Sequence, residues 1–241
     1  MNFAERVLKI PALLNARDLG GHPTTDGSRT RFRSLFRTDD LSQLGPEGIR
    51  ALADHGVETV VDLRWAEELT LNPSPVPRDL TNIRYRHISL LAEAPKDWIV
   101  FVGSTEKEMW KCAVLEHVRA ELRRVLSAIA ESSPGPLLFH CVAGKDRTGI
   151  IAALLLALAD VEPDSIAQDY ALSTEQLREA YLIRYASTGD AAAIIEHLRC
   201  PEVGVHNMLT YLERQGGIRA YLADIGLSEA EIAQLRARLR D

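Results

Sequence analysis

The sequence predicts an α/β fold: a mostly parallel central sheet flanked by helices, followed by a helical C-terminal half. Short apolar runs at 57–63 and 137–140 have the length of buried strands. Helical patterns stand between the strand candidates, as crossovers joining parallel strands require. Past Gly149 nearly every segment has helical periodicity.

Taken in order, a short helix that Pro46 starts and Gly56 ends precedes the strand at 57–63. A second strand candidate covers 83–90. A long helix is expected over about 106–130, and Ser132-Ser133-Pro134-Gly135-Pro136 breaks the chain before the strand at 137–140. In such sheets ligands sit at the carboxyl ends of the strands, which is where Cys141 lies. Capping-box spacings occur at Ser173 to Gln176 and Ser228 to Glu231, and Gly216-Gly217 marks a helix stop. The amphipathic stretch of about 163–200 either folds over the Cys141 loop as a helical lid or packs against the sheet. With 241 residues, 46% hydrophobic and 26% charged, and no repeat or linker, residues 1–241 are expected to form one domain.

A net charge of −6 argues against nonspecific nucleic-acid binding, and no nucleic-acid motif is visible. The first ten residues carry Glu5, Arg6 and Lys9 and lack the apolar core of a signal peptide. The apolar run 150–159 is too short to span a bilayer, so no integral membrane segment is expected. Three cysteines do not suggest a disulfide framework. A reducing cytoplasm is therefore the expected location, with export lacking a signal peptide left open; oligomeric state is not legible.

The chemistry concentrates in His140-Cys141-Val142-Ala143-Gly144-Lys145-Asp146-Arg147-Thr148-Gly149. A loop closing onto a helix N-terminus aims backbone N–H groups and the positive end of the helix dipole at one point, which holds a phosphate and favours an ionised sulfur. The amides of Val142, Ala143, Gly144 and Lys145 are the candidate phosphate ligands, and Gly144 permits the tight turn. Arg147 follows Cys141 at an offset that reaches only Val118 from Cys112 and His206 from Cys200. Its planar fork can grip two phosphate oxygens. Thr148 is placed to donate its hydroxyl to the sulfur, and His140 to orient the nucleophile from behind. A Walker A loop is excluded, because Asp146 stands where that motif needs Ser or Thr. The implied reaction is phosphate-ester hydrolysis through a cysteinyl-phosphate.

These residues resemble the cysteine-dependent protein tyrosine phosphatases, in particular the bacterial atypical tyrosine and lipid phosphatases. The resemblance runs through Asn15-Ala16-Arg17-Asp18-Leu19-Gly20-Gly21, Phe36-Arg37-Thr38, Val60-Val61-Asp62-Leu63-Arg64, the His140 to Gly149 run, Gly216-Gly217-Ile218 and Leu227-Ser228, nearly the full length. It implies the phosphatase α/β sandwich and activity on phosphotyrosine, with some members also accepting phosphoserine, phosphothreonine or phosphoinositides. No cofactor or metal is expected, since the arginine and the amides supply the positive charge and the seven histidines lack zinc spacing.

The general acid that protonates the leaving oxygen is less legible, for there is no Trp-Pro-Asp. The candidates are Asp146 in the loop, Asp62 at a strand end, and Glu93 or Asp97. Asp146 leads because it lies beside the nucleophile and matches the atypical family's pattern. Asp62 has the alternative of fixing Arg64 or a loop backbone. Lys145 either meets a second phosphate on an inositol ring or is simply solvated, and Arg64, Arg84 and Arg86 either form a basic rim or a solvated face. The partner is thus expected to be a phosphorylated protein or a phosphoinositide. A phosphate-binding module without turnover and a rhodanese-like sulfur transferase are the competing classes; joint retention of Cys141, Arg147 and Thr148 disfavours the first, and the Gly144 to Gly149 continuation the second.

Overall fold

A computed structural model describes residues 3–76, 82–94, 107–187 and 190–240. Among them five strands form one sheet in the order β1-β2-β5-β3-β4: β1 Arg17–Asp18, β2 Leu35–Thr38, β3 Thr59–Asp62, β4 Arg84–His87 and β5 Leu137–His140. Only β1 runs antiparallel to its neighbour. β3 and β4 are thus shorter than the strand candidates at 57–63 and 83–90. The helices are α1 Pro46–Asp54, α2 Ala66–Leu71, α3 Lys107–His117, α4 Arg119–Ala130, α5 Asp146–Leu158, α6 Pro163–Arg184, α7 Ala191–Leu198, α8 Glu202–Arg214, α9 Ile218–Asp224 and α10 Glu229–Leu239. None of the described helices is long and apolar enough to cross a membrane.

Alternation along the strands builds two cores. Phe36, Val60 and Leu138 face one way, onto Leu41, Leu44, Ile49 and Leu52 around α1. Leu35, Val61, Leu137 and Phe139 face the other way, onto the larger helical layer. Within that layer α5 is apolar on nearly every side from Ile150 to Leu156, as suits a helix buried between sheet and outer helices.

Two expected elements differ. The helix expected over 106–130 is two: Val118 leaves helical geometry at φ −113° and ψ 39° while its side chain stays buried. Packing both segments into the core outweighs helix continuity at a β-branched residue, which gives up little helix propensity. Ser173 starts no helix, because α6 has already begun at Pro163; its hydroxyl instead accepts from Arg17 Nη2 at 3.1 Å. Ser228 and Glu231 do form the reciprocal capping box.

The helical layer is tied to the sheet by charge as well as by apolar contact. Asp169 on α6 is buried and accepts from Arg6 Nη1 at 2.8 Å, Arg17 Nε at 3.0 Å and Arg37 Nη1 at 2.7 Å. Arg17 and Arg37 lie on β1 and β2, and His22 Nε2 approaches to 3.6 Å. Burial pushes the Asp169 carboxyl up, but the surrounding guanidiniums outweigh it and hold the group well below the usual carboxylate range. Removing the carboxylate charge leaves buried guanidiniums without a counter-ion, so Asp169→Asn is expected to lower stability by about 3–5 kcal/mol. Urea unfolding checks this; a loss under about 1 kcal/mol contradicts it.

Candidate active site

The register of the parallel strands gathers the site. Thr38 pairs with His140 and His140 with Asp62, so β2, β5 and β3 end side by side and release 39–40, 141–145 and 63–65 into one crevice. Cys141 sits at its floor, 3% exposed.

The loop from Cys141 to Lys145 is held by its carbonyls. His140 Nδ1 lies 3.0 Å from Cys141 O, and the Asp40 amide donates to Val142 O at 2.9 Å. Asn15 Nδ2 donates to Ala143 O at 2.9 Å and Gly144 O at 3.1 Å. Arg37 Nη2 reaches Gly144 O at 2.8 Å, and the Gly149 amide reaches Lys145 O at 2.7 Å. Peptide planarity sets each N–H opposite its C=O, so drawing the carbonyls outward turns the amides toward the crevice. Lys145, which precedes α5, supplies no side-chain cap to the first turn, leaving that turn's amides for an anion. Gly144 has φ +62°, and a Cβ there would lie 2.3 Å from Thr38 O, so the loop passes too close to β2 for any side chain.

Arg147 is fixed by a partner that sequence reasoning missed. Glu68 on α2 accepts from Nη1 at 2.5 Å and Nη2 at 2.8 Å, and the Trp65 ring lies 4.7 Å from the guanidinium carbon. The same carboxylate accepts the Trp65 amide at 2.7 Å. Glu68 stands three residues into the segment after Trp65 and four beyond Arg64, a position that had no chemistry attached to it in sequence.

Asp62 does not line the crevice. It is fully buried, accepts from Arg64 Nε at 3.0 Å, Arg64 Nη2 at 2.7 Å and the Tyr85 hydroxyl, and lies 3.6 Å from His140 Nε2. Burial pushes its carboxyl up, but His140, Arg64 and Tyr85 together pull it well below the usual range. This is the arrangement of a strand-end carboxylate that fixes Arg64. Arg64 is itself buried and also bonds Asp40 Oδ1 at 2.8 Å, so it belongs to no basic rim. Arg86 reaches Ala128 O at 3.0 Å, and neither it nor Arg84 faces the crevice.

Asp146 does line it. Tyr170 donates to its Oδ1 at 2.7 Å and Lys145 Nζ lies 3.4 Å from Oδ2. Burial pushes this carboxyl up, but the Lys145 and Lys111 charges and the Tyr170 hydroxyl lower it further. Lys145 is buried, not solvated: Nζ donates to His197 O on α7 at 2.5 Å. Thr148 Oγ1 is buried without a hydrogen-bond partner among the described residues, so the expected bond to the sulfur is not formed here. Glu93 is exposed and does not line the crevice, and Asp97 lies outside the described residues.

Above Cys141 the crevice opens as a cavity of about 260 Å³ walled by Trp65, Leu91, Trp110, Tyr181 and Tyr185. The end of α6 and the His197 turn of α7 thus line the cavity together with the loop. Among the described residues no three His, Cys, Asp or Glu side chains group as a metal site.

The profile of the tyrosine phosphatase family matches residues 8–241. A tyrosine-protein phosphatase of Nostoc commune is 38% identical over 219 residues, covering 86% of this chain and 74% of that protein. The triple specificity protein phosphatase PtpB of Mycobacterium tuberculosis is 26% identical over 279 residues, covering 97% of this chain and 99% of that one. Among solved structures, P. aeruginosa TpbA is 18% identical, covering 68% of this chain and 84% of that one, with a TM-score of 0.33. The chain belongs to the tyrosine phosphatase family and is a phosphatase enzyme.

Proposed function

We propose that this phosphatase hydrolyses phosphotyrosine in proteins, with Cys141 as nucleophile, Arg147 as ligand of the equatorial oxygens and Asp146 as general acid. The observation that carries the reading is a nearly buried thiol at the floor of a narrow slot with aromatic walls. A phosphate must travel to the base of that slot, and a tyrosine ring is the spacer that reaches it while stacking between aromatic walls.

Sγ of Cys141 attacks phosphorus as the ester P–O bond breaks. The loop amides of Val142, Ala143, Gly144 and Lys145 and the Arg147 N–H groups not taken by Glu68 stabilise the charge on the transferring group. Asp146 gives its proton to the leaving oxygen, then recovers one from the water that attacks phosphorus as the S–P bond breaks. The free site favours ionised Asp146, so the donor proton arrives with the substrate: a phosphate dianion beside the carboxylate raises its affinity for a proton. Turnover therefore falls as pH rises past the ionisation of Asp146 in the substrate-loaded site. Thr148 rotates toward the sulfur as it leaves, Asp62 positions Arg64, and His140 orients the carbonyl of Cys141.

Phosphoserine, phosphothreonine and phosphoinositides form the second reading, favoured by Lys145 in the cavity lining and by the similarity to the triple specificity protein phosphatase of Mycobacterium tuberculosis. Charge opposes the polyphosphorylated lipids. The lining cations Lys145 and Arg147 are matched by the carboxylates Asp146 and Glu68, leaving no surplus for a second phosphate.

A panel of phosphotyrosine peptides, phosphoserine peptides and phosphoinositides tests the reading; kcat/KM highest on the lipids overturns it. Cys141→Ser is expected to abolish turnover while retaining phosphate binding, and retained activity removes the nucleophile assignment. Arg147→Lys is expected to lower kcat by about 10²–10³ because a point charge cannot reproduce the fork, whereas tolerance within a few-fold means another group bears the charge. Asp146→Asn should slow a phosphoserine peptide about 10²-fold or more while sparing an aryl ester whose leaving oxygen needs no proton. Equal losses on both substrates would show a structural role.

A further inference from the structure

Behind the phosphate loop lies a buried pair of side chains that the scheme above does not use. Tyr170 on α6 is 2% exposed, and its hydroxyl donates to Asp146 Oδ1 at 2.7 Å. Its ring packs directly on the last glycine of the loop motif. A Cβ on Gly149 would lie 2.8 Å from Tyr170 Cδ2 and 3.0 Å from Cε2, so the glycine is what lets the ring reach the first turn of α5. Lys111 on α3 is 1% exposed, with Nζ 3.9 Å from the centroid of that ring. A cation against the ring withdraws electron density from the phenol and strengthens its O–H as a donor.

We propose that Tyr170, with Lys111 against its ring, is the positioning residue for the leaving-group proton. The phenol occupies Oδ1 and fixes the plane of the Asp146 carboxyl, so that the transferable proton is carried on Oδ2, the oxygen 3.4 Å from Lys145 Nζ. The inference rests on the reading of Asp146 as general acid.

The charges around Asp146 agree with this geometry. Lys145 from the loop, Lys111 from α3 and Tyr170 from α6 favour its ionised form, and Arg147 and the Cys200 thiol are the other groups coupled to it. Burial and the Asp146 charge push the Tyr170 hydroxyl well above the ordinary tyrosine range, so its proton stays on the phenol. A phenol that keeps its proton donates to Oδ1 of the ionised carboxylate, which leaves Oδ2 as the oxygen that takes up the proton.

Tyr170→Phe keeps the ring over Gly149 and removes the hydroxyl that serves Asp146 and meets the Cys200 thiol. Losing a hydrogen bond to a charged group is expected to raise the Asp146 titration, read by carboxyl-carbon NMR, by roughly one to two pH units. The basic limb of kcat on a phosphoserine peptide should move up with it. At the pH optimum kcat should fall about tenfold with KM unchanged, because the freed carboxyl samples unproductive planes. Lys111→Met should move both titrations in the same direction by less. An unmoved Asp146 titration in Tyr170→Phe, in protein that melts like wild type, overturns the inference. Should Tyr170→Phe not fold, the same reading of Lys111→Met decides. A moved NMR titration with an Asp146→Asn enzyme that keeps its leaving-group dependence would instead locate the failure in the general-acid assignment.

Discussion

The site depends on where five carbonyls point. From Cys141 to Lys145 every backbone oxygen is held by a group outside the crevice: His140, Asp40, Asn15, Arg37 and the Gly149 amide. A peptide cannot turn its oxygen outward without turning its N–H inward, so these tethers build the anion site before any anion arrives. The tethers are themselves tethered. Arg17 bonds both Asn15 Oδ1 and Asp169, and Arg37 bonds both Gly144 O and Asp169, so one carboxylate on α6 anchors the loop through two arginines. The sheet edge, the long helix and the phosphate loop are one mechanical unit.

Charge is balanced pair by pair around that loop. Arg147 answers Glu68, Lys145 answers Asp146, Arg64 answers Asp62 and Asp40. Isolated buried charges cost several kcal/mol each, and pairing offsets part of that cost for each cation. The consequence is a site that supplies direction more than bulk charge: the guanidinium is aimed by Glu68 and Trp65, and the amides by their carbonyl anchors. On the proposed reading, such a site serves one transferring phosphoryl group better than a polyanion.

The Cys141 loop was legible because its elements are local: a strand end, a cysteine, a glycine-bearing turn and a helix start are contiguous from Leu137 to Gly149. The parallel sheet was legible for the same reason, although β1 is too short at two residues to leave a periodic signature. What escaped was everything brought in from a distance. Glu68 is 79 residues from Arg147, Asp169 is 132 from Arg37 and Asn15 is 128 from Ala143. Asn15 and Arg37 stood in motifs that the resemblance marked, yet no spacing tells which backbone oxygen an amide or a guanidinium will reach. The break at Val118 and the false capping signal at Ser173 show the same limit, since tertiary packing decided both.

The outward tethering of the loop carbonyls is tested most directly by the affinity of Asn15→Ala for inorganic phosphate, measured by calorimetry against the parent protein, both in a Cys141→Ser background. Asn15 does not itself line the crevice, and within the loop it acts only on Ala143 O and Gly144 O. Releasing these carbonyls leaves buried polar groups unsatisfied at a cost of about 1–3 kcal/mol, so phosphate binding should weaken by about ten- to hundredfold in protein that remains folded. Unchanged affinity would show that the amides face the crevice without those anchors, and would contradict the account.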